Sequence, residues 1–198
     1  MQITAEQIKE LRDKTNAGMM DCKKALTETQ GDMEQAVVLL RQKGLAIAQK
    51  RSGRETSEGL IHSYIHFGGK IGVLVEVNCE TDFVAKTPAF QEFVKNLGMQ
   101  IAATNPVCIR REEIPSELLE KEKAIFRAQA LESGKPEKVI DKIVEGRLKK
   151  FFSEACLLEQ PYVKNPDMLI QDYLNEVIAQ VGENVTIRRF TRYQLGAD

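Results

Sequence analysis

Tryptophan is absent from this 198-residue chain, histidine occurs only twice, and cysteine only four times. Cys22, Cys79, Cys108 and Cys156 are far apart and form no C-x-x-C pair. That spacing argues against a clustered zinc site and suits buried thiols in a reducing cytosol. His62 and His66 are four residues apart, which on a helix would bring both rings to one zinc, but the glutamate of H-E-x-x-H is missing. Their segment also reads as a strand, where four residues span roughly 13 Å, so both are expected on a strand surface. No window approaches the roughly 18 apolar residues that span a bilayer. The opening "MQITAEQIKE" lacks a basic stretch followed by an apolar one, so no secretory signal is expected and the reading is cytoplasmic. A formal net charge of -1 gives no bulk pull toward nucleic acid or an anionic membrane. Neither a phosphate-binding glycine loop nor a G-x-S-x-G elbow occurs, and no apolar-flanked carboxylate pair stands out. An active site that makes or breaks bonds is therefore not expected, nor is a resident metal or cofactor.

What is present is ordinary soluble-globular material, 42% hydrophobic and 29% charged, enough for one core and a small accessory domain. Thr4 and Gln7 have capping-box spacing, and Ile8 and Leu11 begin an apolar stripe. "TNAG" at 15–18 breaks that helix and "MMDCKKALTETQ" starts another. Gly31 ends the second, and Asp32 with Gln35 begins a third carrying Ala36, Val37 and Leu40, which Gly44 is expected to stop. Three helices make a small N-terminal domain over residues 1–50. The polar, basic "QKRSGRETSEG" then supplies a linker, bounded at 51–58.

Residues 59–198 have a different character. "LIHSYIHFGGKIGVLVEVN" reads as two strands turning at "GG", with Ile71, Val73, Val75 and Val77 on one face. Thr87 and Pro88 have the N-cap and first-turn identities of a helix. Its face is Phe90, Phe93, Val94, Leu97 and Ile101, and "NP" closes it. Helices over 116–131 and 136–152 follow, parted by "SGKP", the second with Val139, Ile140, Ile143 and Val144 as its inner stripe. "LLEQPYVKNP" reads as irregular and extended. A last amphipathic helix holds Ile170, Tyr173, Leu174, Val177, Ile178 and Val181, and the strand "NVTIRRFTRY" ends the pattern. The fold class is α+β: a small antiparallel sheet packed with helices, behind a three-helix domain.

Three stretches are candidates for function. "IRRFTRY" combines Arg188, Arg189 and Arg192 with Phe190 and Tyr193, a mix that clamps nucleic-acid backbone and stacks bases. The same charges also serve to discourage edge-to-edge pairing of an edge strand. "MMDCKKAL" sets Met19, Met20 and Lys23 near one end of a short helix. Two adjacent methionines do not both face one small core, so one is either presented to a partner or covers a helix seam. In "TDFV", Asp82 reads as a helix N-cap and Phe83 as a core plug, unless Phe83 is held outward to press on something else.

Several long blocks in one order carry a more specific signal: "AGMMDCKKAL", "EVNCETDFVAK", "SGKP…EGRLKKF…LLEQPYV" and "GENVTIRRF". Over nearly the whole chain they resemble elongation factor Ts, the family of nucleotide exchange factors for the translational G protein elongation factor Tu. The resemblance implies a ubiquitin-associated-like N-terminal domain and a core of antiparallel sheet and helices. Many relatives have glycine where this chain has Asn16, a mild departure because asparagine also tolerates positive φ. Long members duplicate the core, whereas this chain has one copy and resembles the short form. That form implies homodimerisation through the core and two elongation factor Tu molecules per dimer. By the same resemblance, Phe83 would wedge between helices of the G domain near its Mg²⁺ site. Asp82 would contact the same region, with Thr81 and Val84 shaping the loop, so that Mg²⁺ and phosphate contacts loosen and GDP leaves. Met19, Met20 and Lys23 would dock the N-terminal domain on the nucleotide-binding domain. No membrane and no direct nucleic acid are expected as partners. The rival readings are an RNA-binding or ribosome-associated protein using the basic C-terminal strand, and a ubiquitin-associated-type adaptor without exchange activity.

Overall fold

The computed structural model describes residues 3–15, 17–132 and 136–197. Asn16 and the Ser133, Gly134 and Lys135 of "SGKP" lie outside the described residues. By internal contacts the chain divides into two units, residues 1–99 with 171–198, and residues 100–170.

In the first unit, helices α1 (Ala5–Thr15), α2 (Met19–Glu28) and α3 (Met33–Arg51) form the bundle. Helix α1 starts on a reciprocal cap: the Thr4 N–H donates to Gln7 Oε1 (3.0 Å) and the Gln7 N–H to Thr4 Oγ1 (3.2 Å). Gly31, at φ 89°, takes the left-handed turn after α2 and donates to the Leu26 carbonyl at 2.8 Å. Asp32 caps α3 by accepting from the Gln35 N–H at 2.9 Å. Leu11, Cys22, Ala25, Leu26, Ala36 and Leu40 make the bundle's core.

Strands β1 (Glu58–Ile65) and β2 (Ile71–Cys79) form an antiparallel hairpin. The remaining elements of this unit are α4 (Asp82–Ala85), α5 (Pro88–Thr104, shared with the second unit), α8 (Ile170–Val181) and β5 (Val185–Gln194). The sheet order is β1-β2-β5, with β2 in the middle and both neighbours antiparallel to it. Val73, Val75 and Val77 are buried, as the period-2 pattern requires. Helix α5 lies over this face so closely that a Cβ on Gly98 would stand 2.9 Å from Tyr64 Cβ. The five expected core residues of α5, Phe90 to Ile101, are all fully buried. Helix α8 joins them where Phe93 and Tyr173 meet edge to face at 5.0 Å and Asn96 Nδ2 donates to the Tyr173 hydroxyl.

Two expectations need correction here. Gly44 does not stop α3, which continues to Arg51. Gly44 has no positive φ, and it is buried with its missing Cβ aimed 3.7 Å from Ala179 Cβ of α8. Glycine ends a helix when the chain must turn left-handed, and here the backbone stays helical through it. His66 is exposed, but His62 is half-buried rather than fully on the surface. Its partner across the hairpin is Val75, which puts it on the core side, with Cδ2 3.5 Å from the position a Gly98 Cβ would take.

In the second unit, α6 (Ser116–Glu132) and α7 (Glu137–Ala155) pair as a helical hairpin. At its base the backbones of Cys108 and Cys156 pair as an isolated parallel β-bridge, both thiols free, and with Ile114 they form a small cluster lined by Leu118, Leu119, Phe151 and Phe152. Arg111 lies 4.4 Å over the Phe152 ring and pairs with Glu159. Of the expected α7 stripe only Ile140 is buried; Ile143 and Val144 are half-buried and Val139 is exposed. A two-helix hairpin has one partner face, which is too narrow to cover four such positions. "LLEQPYVKNP" is more ordered than expected: a 3-10 turn (Leu157–Glu159) leads into a short ribbon of β3 (Pro161–Tyr162) and β4 (Asn165–Leu169). Buried Gln100 and Gln160 hold it, with Gln100 accepting from the Val163 N–H and donating to Gln160 and the Pro161 carbonyl.

No helix among the described residues is long and apolar enough to cross a membrane.

Candidate partner-binding site

The turn that follows β2 is short and tied at every joint. Thr81, extended at φ -131°, is the N-cap of α4, its Oγ1 accepting from the Val84 N–H. That cap role was expected of Asp82, which instead lies inside the first turn. All of the polar atoms of Thr81 are engaged. Its N–H donates to Glu183 Oε2 at 3.0 Å and its hydroxyl to Glu183 Oε1 at 2.7 Å. Its carbonyl accepts from the Cys79 thiol at 3.1 Å and from the Ala85 N–H. Burial, with Glu183 nearby, pushes the Cys79 thiol up to about 11, so it stays protonated and able to donate.

On this turn Val84 faces inward at 7% exposure while Phe83 faces outward at 78%. The core-plug reading of Phe83 is therefore wrong in this fold: Val84 is the plug. Asp82 is ion-paired to Lys86 at 2.6 Å, one helical turn away. The Lys86 hydrogen bond holds the Asp82 carboxyl below its usual range, and the same bond raises the lysine. Beyond the turn, the Thr87 hydroxyl donates to the Val84 carbonyl at 2.8 Å and accepts from the Phe90 N–H, passing directly into α5. The surface offered is an exposed phenyl ring beside an ion pair, on a backbone with few unsatisfied groups.

Met19 and Met20 are both exposed, at 59% and 64%. Neither covers a seam, because Cys22, Ala25 and Leu26 already fill the inward face of α2. Lys23 is exposed on the same helix. Thr81, Asp82, Phe83 and Val84 thus share one turn, whereas Met19, Met20 and Lys23 lie together on a different element. Among the described residues no three histidine, cysteine, aspartate or glutamate side chains converge as metal ligands.

Comparison with known proteins is decisive at this point. The family model described as Elongation factor TS matches residues 2–197. The chain is 65% identical to elongation factor Ts of Desulfosudis oleivorans, over 98% of each chain. It is 62% identical to that of Syntrophobacter fumaroxidans, over 100% of this chain and 99% of the other. It is also 62% identical to that of Desulfotalea psychrophila, over 100% of both. The chain belongs to the elongation factor Ts family.

In this elongation factor Ts family chain, the residues most directly joined to the "TDFV" turn were not among the sequence candidates. Glu183 and Asn184 sit in the turn between α8 and β5, after Gly182 at φ 73°. Glu80 accepts from the Asn184 N–H at 2.6 Å and from Arg54 at 3.2 Å, while Asn184 Nδ2 donates to the Arg54 carbonyl. The Asn184 bond, with Arg54 and Arg51 beside it, lowers the Glu80 carboxyl. "GENV" is a recognisable block of the sequence, but nothing local to it reveals a partner a hundred residues away. The basic strand is less available than its sequence promises: Arg189 is paired with Glu76 at 2.6 Å, and Arg192 Nη1 donates to Gln194.

Proposed function

We propose that this elongation factor Ts family chain is a guanine nucleotide exchange factor for elongation factor Tu and performs no bond chemistry. Phe83 carries the reading: a bulky apolar side chain 78% exposed on a turn that Thr81 ties to Glu183 through its N–H and hydroxyl. A rigid aromatic loses few rotamers on docking and buries much apolar area, which suits an interface wedge. Pushed between helices of the G domain, it displaces the groups around the partner's Mg²⁺ and loosens the phosphate contacts. Asp82 and its Lys86 partner meet the same region, and Thr81 and Val84 hold the turn's shape. Exchange then follows from differential affinity. The factor binds nucleotide-free elongation factor Tu better than the GDP-bound form, and by linkage GDP weakens the factor as much as the factor weakens GDP. Met19, Met20 and Lys23 dock the three-helix domain (residues 1–50) on the nucleotide-binding domain, residues 51–58 act as the joint, and residues 59–198 form the core.

The core also dimerises in this reading, giving a two-plus-two complex in the cytoplasm. The side of the sheet opposite α5 supports this, since it leaves Ile61, Ile65, Leu74 and Tyr193 exposed. A second copy presenting the same face would bury them, as a two-fold interface does. The test of exchange is direct. Elongation factor Tu loaded with fluorescent GDP should release it faster on addition of catalytic amounts of this protein. No acceleration above the intrinsic rate would sink the reading.

A further inference from the structure

The wedge turn is braced from across the fold in two directions. Glu183 takes both the N–H and the hydroxyl of Thr81, while Glu80, the residue before Thr81, takes the N–H of Asn184, the residue after Glu183. Each of the two turns therefore supplies a carboxylate that accepts a backbone N–H of the other. A carboxylate accepting two convergent hydrogen bonds fixes its donor in direction as well as distance. Thr81 is the N-cap of the four-residue helix that carries Phe83, and so short a helix has no internal stability of its own. Val84 and the Thr87 hydroxyl anchor its inner side and its end, while its start is set by the Thr81 cap, which Glu183 holds across the fold.

We infer that Glu183 is the positioning residue of the exchange site: it touches no partner but aims Phe83 by clamping Thr81. The inference rests on the exchange reading above. Without the clamp, Thr81 keeps its bond to Val84 yet loses its two hydrogen bonds to Glu183 in the α8–β5 turn, and the Phe83 ring samples directions in which it cannot press. Glu80 and Asn184 close the second half of the brace and keep the two turns in register, so loss of Glu183 frees the cap without opening the sheet.

The test combines two readouts on the full-length protein. Amide hydrogen exchange followed by NMR reports the clamp itself. Glu183→Ala should speed exchange of the Thr81 N–H at least tenfold while the amides of α5 keep their protection. Stimulated release of fluorescent GDP from elongation factor Tu reports the consequence, with an expected fall of about tenfold. In the Phe83→Ala background, Glu183→Ala should cost no more than a further twofold, because there is no ring left to aim. Glu183→Gln keeps one acceptor oxygen and should lie between Glu183→Ala and the unsubstituted protein in both readouts. Unchanged Thr81 protection, or losses that multiply in the double variant, would overturn the inference. If Phe83→Ala abolishes stimulation while Glu183→Ala stays within twofold of the unsubstituted protein, only the positioning role falls. If the unsubstituted protein stimulates nothing, the exchange reading falls and takes this role with it.

Discussion

Phe83 and Val84 are adjacent apolar residues with opposite fates, 78% and 7% exposed. The difference lets fold and function be separated by single substitutions. Phe83→Ala removes a ring that touches little of its own fold, so urea unfolding should stay within about 0.5 kcal/mol of the unsubstituted protein. Nucleotide release should nevertheless fall at least tenfold. Val84→Ala empties a buried position and should cost about 2 kcal/mol in the same unfolding measurement. A large stability loss for Phe83→Ala would mean that the ring is part of the core after all. The sequence could not distinguish the two, because one turn of helix places neighbours about 100° apart and nothing in "TDFV" says which side faces in. The exposure of both Met19 and Met20 was equally hidden, since it depends on Cys22, Ala25 and Leu26 having already filled the inner face.

At the scale of elements, the seam between α3 and α8 yields two predictions. Gly44 keeps helical torsions, and its Cβ would make an ordinary 3.7 Å contact with Ala179. Gly44→Ala should therefore stabilise the protein by about 0.5–1 kcal/mol, seen as a higher melting temperature. Glu176 on α8 has Arg41 facing it from α3 and Asp172 one turn earlier on its own helix. Burial, opposed by Arg41 and reinforced by Asp172, pushes its carboxyl up to about 7 from 4.5. The folded chain thus holds this proton more tightly than the unfolded chain does. The resulting stability is fully present below pH 4.5 and is lost as pH rises through about 7. Glu176→Gln should be more stable than the unsubstituted protein at pH 8, by about 1–2 kcal/mol after solvent screening, and should lose that advantage at pH 4. Paired urea titrations at the two pH values check it. Elements with a local signature were legible: β2 by its alternating valines, α5 by its threonine-proline start and five-residue face, α1 by its capping box. Elements whose signature depends on a distant neighbour were not. Gly44 reads as a stop unless Ala179 is known to lie opposite, and the β3–β4 ribbon owes its order to Gln100 and Gln160 rather than to strand propensity.

At the scale of the whole molecule, the α+β class and the order of the family-like blocks could be read from the chain, because both rest on patterns tens of residues long. The wiring of the site could not: Thr81 and Glu183 are 102 residues apart. The open side of the sheet makes one prediction at this scale. Lysines replacing Ile61 and Leu74, both exposed there, should convert a dimer to a monomer by light scattering at micromolar concentration, while Phe83 stays untouched. A monomeric mass for the unsubstituted protein would remove the two-plus-two complex. The Thr81–Glu183 brace has a further bearing on how the protein comes into being. At about 5–20 residues per second of synthesis, roughly 5–20 s separate the emergence of Thr81 from that of Glu183. For that interval the nascent chain already displays its phenyl ring but lacks the part that steadies it. Under the proposed exchange role, a growing chain thus acquires its grip on elongation factor Tu only as its last strand is made.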